Sequence, residues 1–251
     1  MVRTKGRYTI NMNYTYGKSM GIVNPALDPY NLNNDYGVQP ANRKQIFNAA
    51  YSVELGSPIK GNKFAGGLIN GWQLSGITQV ESGANLTGGA NFGISGNIGI
   101  PGSTGGTGNT GTEVQASDVS LLGTSDIAFN PLETCNPTAN LAPHQYINPN
   151  CFAVPDQIGE NGPTVIHPIY GPWYFNSDLG MFKNFNISES KKLQFRFNAY
   201  NFLNHPLWSF NGNNLTLGFD GTSGQVNTPD FGTVTQKQGH RVVQVAAKFY
   251  F

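Results

Sequence analysis

The chain has 251 residues, with 15 Lys and Arg against 14 Asp and Glu, and a net charge of +1. That balance offers no basic surface to nucleic acid, and none is expected as a partner. Charged residues make up 12% of the chain, about half the share usual in soluble domains, while aromatic residues also reach 12%.

The length suits one large β domain or two ordinary ones. No apolar run approaches the ~18 residues of a membrane-spanning helix. The opening "MVRTKGRYTINMNY" lacks the apolar core of a signal peptide. If the chain works outside the cytoplasm, its export signal is expected outside residues 1–251.

Alternation marks the first strand in "RYTINMNYTYGK", where Tyr8, Ile10, Met12, Tyr14 and Tyr16 oppose Thr9, Asn11, Asn13 and Thr15. "QIFNAAYSVEL" sets Phe47, Ala49, Tyr51, Val53 and Leu55 against Ile46, Asn48, Ala50, Ser52 and Glu54. "GWQLSGITQVES" sets Trp72, Leu74, Gly76, Thr78 and Val80 against Gln73, Ser75, Ile77, Gln79 and Glu81. "WYFNSDLGMFKNF" alternates more weakly, and "LQFRFNAYNFL" sets Leu193, Phe195, Phe197 and Ala199 against Gln194, Arg196, Asn198 and Tyr200. The last segment, "GHRVVQVAAKFYF", carries Val243, Val245, Ala247, Phe249 and Phe251 on one side.

Helix signals are nearly absent, so the chain reads as all-β. Six segments of about ten residues, tipped by aromatics, suit tilted strands crossing a bilayer better than the shorter strands of a sandwich. The connections between them alternate between long and short. Lys18 to Lys44, Ser82 to Pro172 and Asn204 to His240 are long; Gly56 to Gly67 and Asn186 to Lys192 are short. Outer-membrane barrels sort their loops in this way, with short turns in the periplasm and long loops outside. The expected fold is therefore an antiparallel transmembrane β-barrel segment of about six long strands, a partial barrel. Residues 83–171 form a long Gly-rich extracellular loop region within it.

"YTYGKSM", "INGWQLSGITQVESG", "YINPNCFAVP", "GPWYFNSDLGMFKNFNISESKKLQFRFNAYNFLNHPLW" and "FGTVTQKQGHRVVQVAAKFYF" follow one another in this order. Together they resemble the C-terminal end of a TonB-dependent outer-membrane receptor of the Oar-like kind. The resemblance is poor across Gly83 to about Gly123. "NRKQIF" departs from the family's Arg-His pair at Lys44, and Leu55-Gly56 departs from its Leu-Pro turn.

The resemblance implies a substrate importer in the outer membrane of a Gram-negative bacterium, driven through TonB and non-catalytic. It implies a parent barrel of about 22 strands around an N-terminal plug. Residues 1–251 then read as a fragment, its C-terminal barrel part, with plug, first strands and TonB contact expected elsewhere. Such a fragment is expected to be inactive alone. Phe251, with Phe249 and Val245 at alternate positions before it, resembles the signal read by the barrel assembly machinery. The alternative is the last strand of any sheet. Outer-membrane lipid and a small-molecule, peptide or glycan substrate complete the expected partners.

Candidate chemistry is sparse. Cys135 and Cys151 lie in "ETCNPTANLAPHQYINPNC". A disulfide there is preferred to free or metal-binding thiols, because no Cys-x-x-Cys spacing exists and only His144 lies near. "GNIGIPGSTGGTGNTGT" lacks the Gly-Lys-Ser/Thr of a phosphate loop and reads as low-complexity surface. His144, His167, His205 and His240 are scattered, and no catalytic triad, metal or cofactor is expected. The polar set Asn11, Asn13, Gln73, Gln79, Glu81, Asp178, Gln194, Arg196 and Asn198 is expected to face the lumen. It either lines a substrate path or forms a hydrated wall against the plug. The rival reading of the whole chain is a soluble extracellular β-sandwich for adhesion or carbohydrate binding.

Overall fold

The computed structural model describes residues 2–23, 28–87, 97–99, 113–115, 122, 126–127, 129–155, 157, 159–220 and 225–251. Most of the Gly-rich stretch expected as low-complexity surface lies outside the described residues.

One antiparallel sheet of seven strands follows chain order without a crossover. The strands are β1 (Val2–Lys5), β2 (Tyr8–Tyr16), β3 (Gln45–Glu54), β4 (Trp72–Glu81), β5 (Tyr174–Asn186), β6 (Lys192–Tyr200) and β7 (Val242–Tyr250). The six from β2 onward are the six that alternate in sequence. They are 9 to 13 residues long, near the ~9–11 that carry a tilted strand across hydrocarbon. The sheet is open, with β1 and β7 as its two edges.

The seventh strand, β1, was not expected. "VRTK" is too short and too charged to show a period, yet its backbone pairs Val2 with Asn11 and Lys5 with Tyr8. Gly6, at φ 58°, supplies the positive φ that a two-residue hairpin favours at its first central position.

At the short-connection end, β3 and β4 are joined through a helix, α1 (Lys63–Ile69). Two glycines and only seven residues leave it a weak signal in sequence, so a cap has to hold it. The Asn62 side chain accepts from the backbone N–H of Phe64 and Ala65 at 3.0 and 3.1 Å. Asn70 clamps the connection, donating to the Ile59 carbonyl at 2.7 Å and accepting its N–H at 3.0 Å.

The tightest packing is not in the sheet. Leu86, Ile147, Phe152, Ile166, Ile169, Leu217 and Phe231 form a buried apolar cluster, and all seven belong to the long connections. Those connections also bond one another. Tyr146 N–H donates to the Gly232 carbonyl at 2.7 Å, Val234 N–H to His144 at 2.9 Å, and the Asn85 side-chain amide to Val38 at 2.9 Å. Two-stranded ribbons, such as Leu132–Glu133 with Phe152–Ala153, stiffen them further. A folded cap therefore stands over one end of the sheet.

Candidate functional site

Register decides which side chains share a face, since directly paired residues in an antiparallel sheet project together. One row runs Thr9, Ser52, Ser75, Gly180, Asn198 and Gln244. Other rows on the same face hold Asn13, Asn48, Gln79 and Asn176, and Glu54, Gln73, Phe182 and Arg196. All nine residues of the expected lumen set fall on this one polar face. The other face carries Tyr14, Phe47 and Val80 in one row, and Trp72, Lys183, Phe195 and Ala247 in another. Val245 and Phe249 lie on this apolar face. Phe251 stacks on Phe249 with ring centroids 6.3 Å apart and is 95% exposed.

Bonds knit the polar face in two places. Toward the cap, Gln79 donates to Glu81 at 2.6 Å, and the other Glu81 oxygen meets Arg43 Nε at 2.9 Å. Arg43 also donates to the Ser82 carbonyl at 2.9 Å, which ties the first long connection to the second. Asp178 accepts from Asn176 at 3.1 Å and from the backbone N–H of Asn201 at 2.8 Å. Toward the short connections, Gln194 donates to Asn184 at 2.9 Å and accepts from Arg196 at 2.5 Å. Gln73 donates to Ser52 Oγ at 2.7 Å. Asn11 is level with Asp178 and Asn13 with Gln79, while Asn198 stands between the two clusters.

Between them opens a groove of about 380 Å³, lined on the polar face by Ala50, Ser75, Ile77, Asp178, Asn198 and Tyr200. A wider groove of about 900 Å³ crosses the cap beside Glu133, Cys135, Asn136 and His167. Cys135 and Cys151 are disulfide-bonded, S–S 2.04 Å, and so hold the two ends of this segment together. Among the described residues, no group of three His, Cys, Asp or Glu is placed to hold a metal ion. Tyr146 lies within the cap, and burial pushes its phenol above the usual pKa of 10.0.

Two residues important to this arrangement gave no sign of it in sequence. Arg43 stood out only for its place in a motif, and its partner Glu81 is 38 positions away. Asn201, in the left-handed region at φ 46°, accepts from His205 N–H at 2.9 Å and donates to its carbonyl at 2.8 Å. The signal available for it was an Asn just past a strand and five positions before Pro206.

One apolar face, one polar face and strands of bilayer length define the wall of a membrane barrel. Residues 2–244 match the model of the outer membrane beta barrel domain, and the chain belongs to that family. It is an outer-membrane protein, and the soluble sandwich is set aside. Comparison with the curated proteins and with the solved structures finds no match.

Proposed function

We propose that this barrel wall serves import through a TonB-dependent receptor of the Oar-like kind, without catalysis. The observation that carries the reading is a polar face ending beneath a folded cap. A cap with its own buried core presents a fixed surface to a substrate, as mobile loops do not. The bonded clusters at Glu81 and Asp178 place acceptors just inside that entrance. The short connections then lie in the periplasm and the long ones outside. The sequence resemblance supports coupling through TonB, by contacts outside the sheet. The substrate class is a small molecule, peptide or glycan.

Depletion of a defined mixture of peptides and oligosaccharides by whole cells tests this. A component removed by the parent strain should be left untouched by strains lacking either the receptor or TonB. Uptake that needs the receptor and proceeds without TonB would overturn the reading.

A further inference from the structure

The helix α1 sits against the apolar face of the sheet, not the polar one. Trp72 and Lys183 are paired neighbours on the apolar face, and both reach the last turn of α1. The Trp72 indole N–H donates to the Leu68 carbonyl at 2.9 Å, and Lys183 Nζ donates to the Gly67 carbonyl. Lys183 is 4% exposed and lies 4.8 Å from the Phe185 ring and 5.9 Å from the Trp72 ring. A cation on an apolar barrel face needs such partners, and these carbonyls, the free end of a short helix, supply one.

With its carbonyls held inward, α1 turns apolar side chains outward. Phe64 is 80% exposed and Leu68, one turn on, is 50% exposed. Ile187, in the neighbouring short turn, is 61% exposed. The two connections carry Lys60, Lys63 and Lys191, all exposed, with Glu189 as their acid. Apolar side chains rimmed by lysines, continuous with a lipid-facing wall and next to a Trp, describe an element lying in a membrane interface.

We propose that α1 is a membrane-surface foot of the barrel. Phe64 and Leu68 enter the acyl boundary of the leaflet, and the three lysines meet the phosphates of an anionic phospholipid. That this leaflet is the periplasmic one rests on the topology under Proposed function. The charge argues for lipid over a protein partner, since a phosphate surface attracts each nearby lysine independently of geometry.

Both native cysteines are used in the disulfide, so an added cysteine takes a nitroxide selectively. The chain is labelled at Phe64→Cys, Leu68→Cys or Gly61→Cys and embedded in vesicles of phosphatidylethanolamine and phosphatidylglycerol. Nitroxides at 64 and 68 should collide with oxygen and be shielded from a water-soluble nickel chelate, with the reverse at 61. Leu68→Cys stands in where Phe64→Cys does not fold. Spin-labelled phosphatidylglycerol should associate several-fold more than phosphatidylcholine, on the order of the attraction of a few surface lysines. Combining Lys60→Gln, Lys63→Gln and Lys191→Gln should bring the two near parity. A chelate-open probe at 64 and 68, or an unchanged lipid preference, overturns the foot. Shielding from both quenchers means that protein covers the helix, and overturns the lipid occupant. Labelling of Gly61→Cys by an impermeant maleimide on intact cells overturns the topology alone, leaving the vesicle result to decide lipid contact.

Discussion

The Tyr51 ring lies over Gly76, its direct partner on the apolar face, so closely that a Cβ built at Gly76 would fall 2.4 Å from Tyr51 Cζ. A glycine in a strand has no side chain to pack, and an aromatic neighbour laid across it restores the lost contact. The pair sits mid-strand, where the wall would otherwise expose backbone.

Gly76→Ala should push the ring aside and cost about 1–3 kcal/mol, the usual range for overpacking. With Tyr51→Ala in the background the same change should cost far less, because the clash has gone. Urea titration of the folded form, read by its heat-modifiable gel mobility, measures both. Additive effects would show that the ring does not cover Gly76.

The two faces are separated further by adjacent residues of β6. Phe197 pairs with Met181 and Val245 on the apolar face, and Asn198 pairs with Gly180 and Gln244 on the polar one. Phe197→Arg near the membrane midplane should cost about 2–4 kcal/mol, whereas Asn198→Ser should cost little. Equal losses at the two positions would contradict the assignment of faces.

These faces were legible from the sequence because strand alternation needs only neighbouring residues. Register preserves it, placing Phe47 beside Val80 and Gln79 beside Asn176 as their positions in each run required. The cap was not legible. Ile147, Ile169, Leu217 and Phe231 have no common period, and their meeting depends on how two long connections cross. Gly232, at φ 74°, shows the difficulty: a Cβ there would lie 2.4 Å from Ile147 Cβ, a contact across 85 positions. The foot helix escaped notice for a local reason, since "KFAGGLI" owes its helical form to the Asn62 cap and to two contacts from the sheet.

The disulfide predicts how the cap responds to protease. Closing a loop of about 15 residues contributes about 3 kcal/mol in the chain-entropy account. Protease added to intact cells should cut between Gly83 and Pro172, and Cys135→Ser with Cys151→Ser should bring new, faster cuts within 135–151. Cutting only after the outer membrane is opened would overturn the topology. An unchanged cutting pattern in the serine variant would show that the core alone holds this segment.

Tyr146 sets an alkaline limit on the same cap. Its phenol packs against the apolar cluster, with the Phe210 ring 5.9 Å away, and its backbone N–H bonds the Gly232 carbonyl. Burial disfavours the phenolate, so the folded pKa lies above the unfolded value of 10.0. The sign follows from which state holds the proton more tightly. Below the unfolded pKa both states are neutral, and the cap keeps its full stability. As pH rises past that value the unfolded chain loses the proton first, and stability falls until the folded pKa is passed. Tyr146→Phe keeps the ring and removes the proton, so it should flatten this part of the profile above pH 10 while leaving neutral pH nearly unchanged. Near-ultraviolet circular dichroism of the cap against urea, at neutral pH and at alkaline pH, reads the difference. A phenylalanine variant that loses stability with pH as steeply as the parent would assign the limit to other tyrosines.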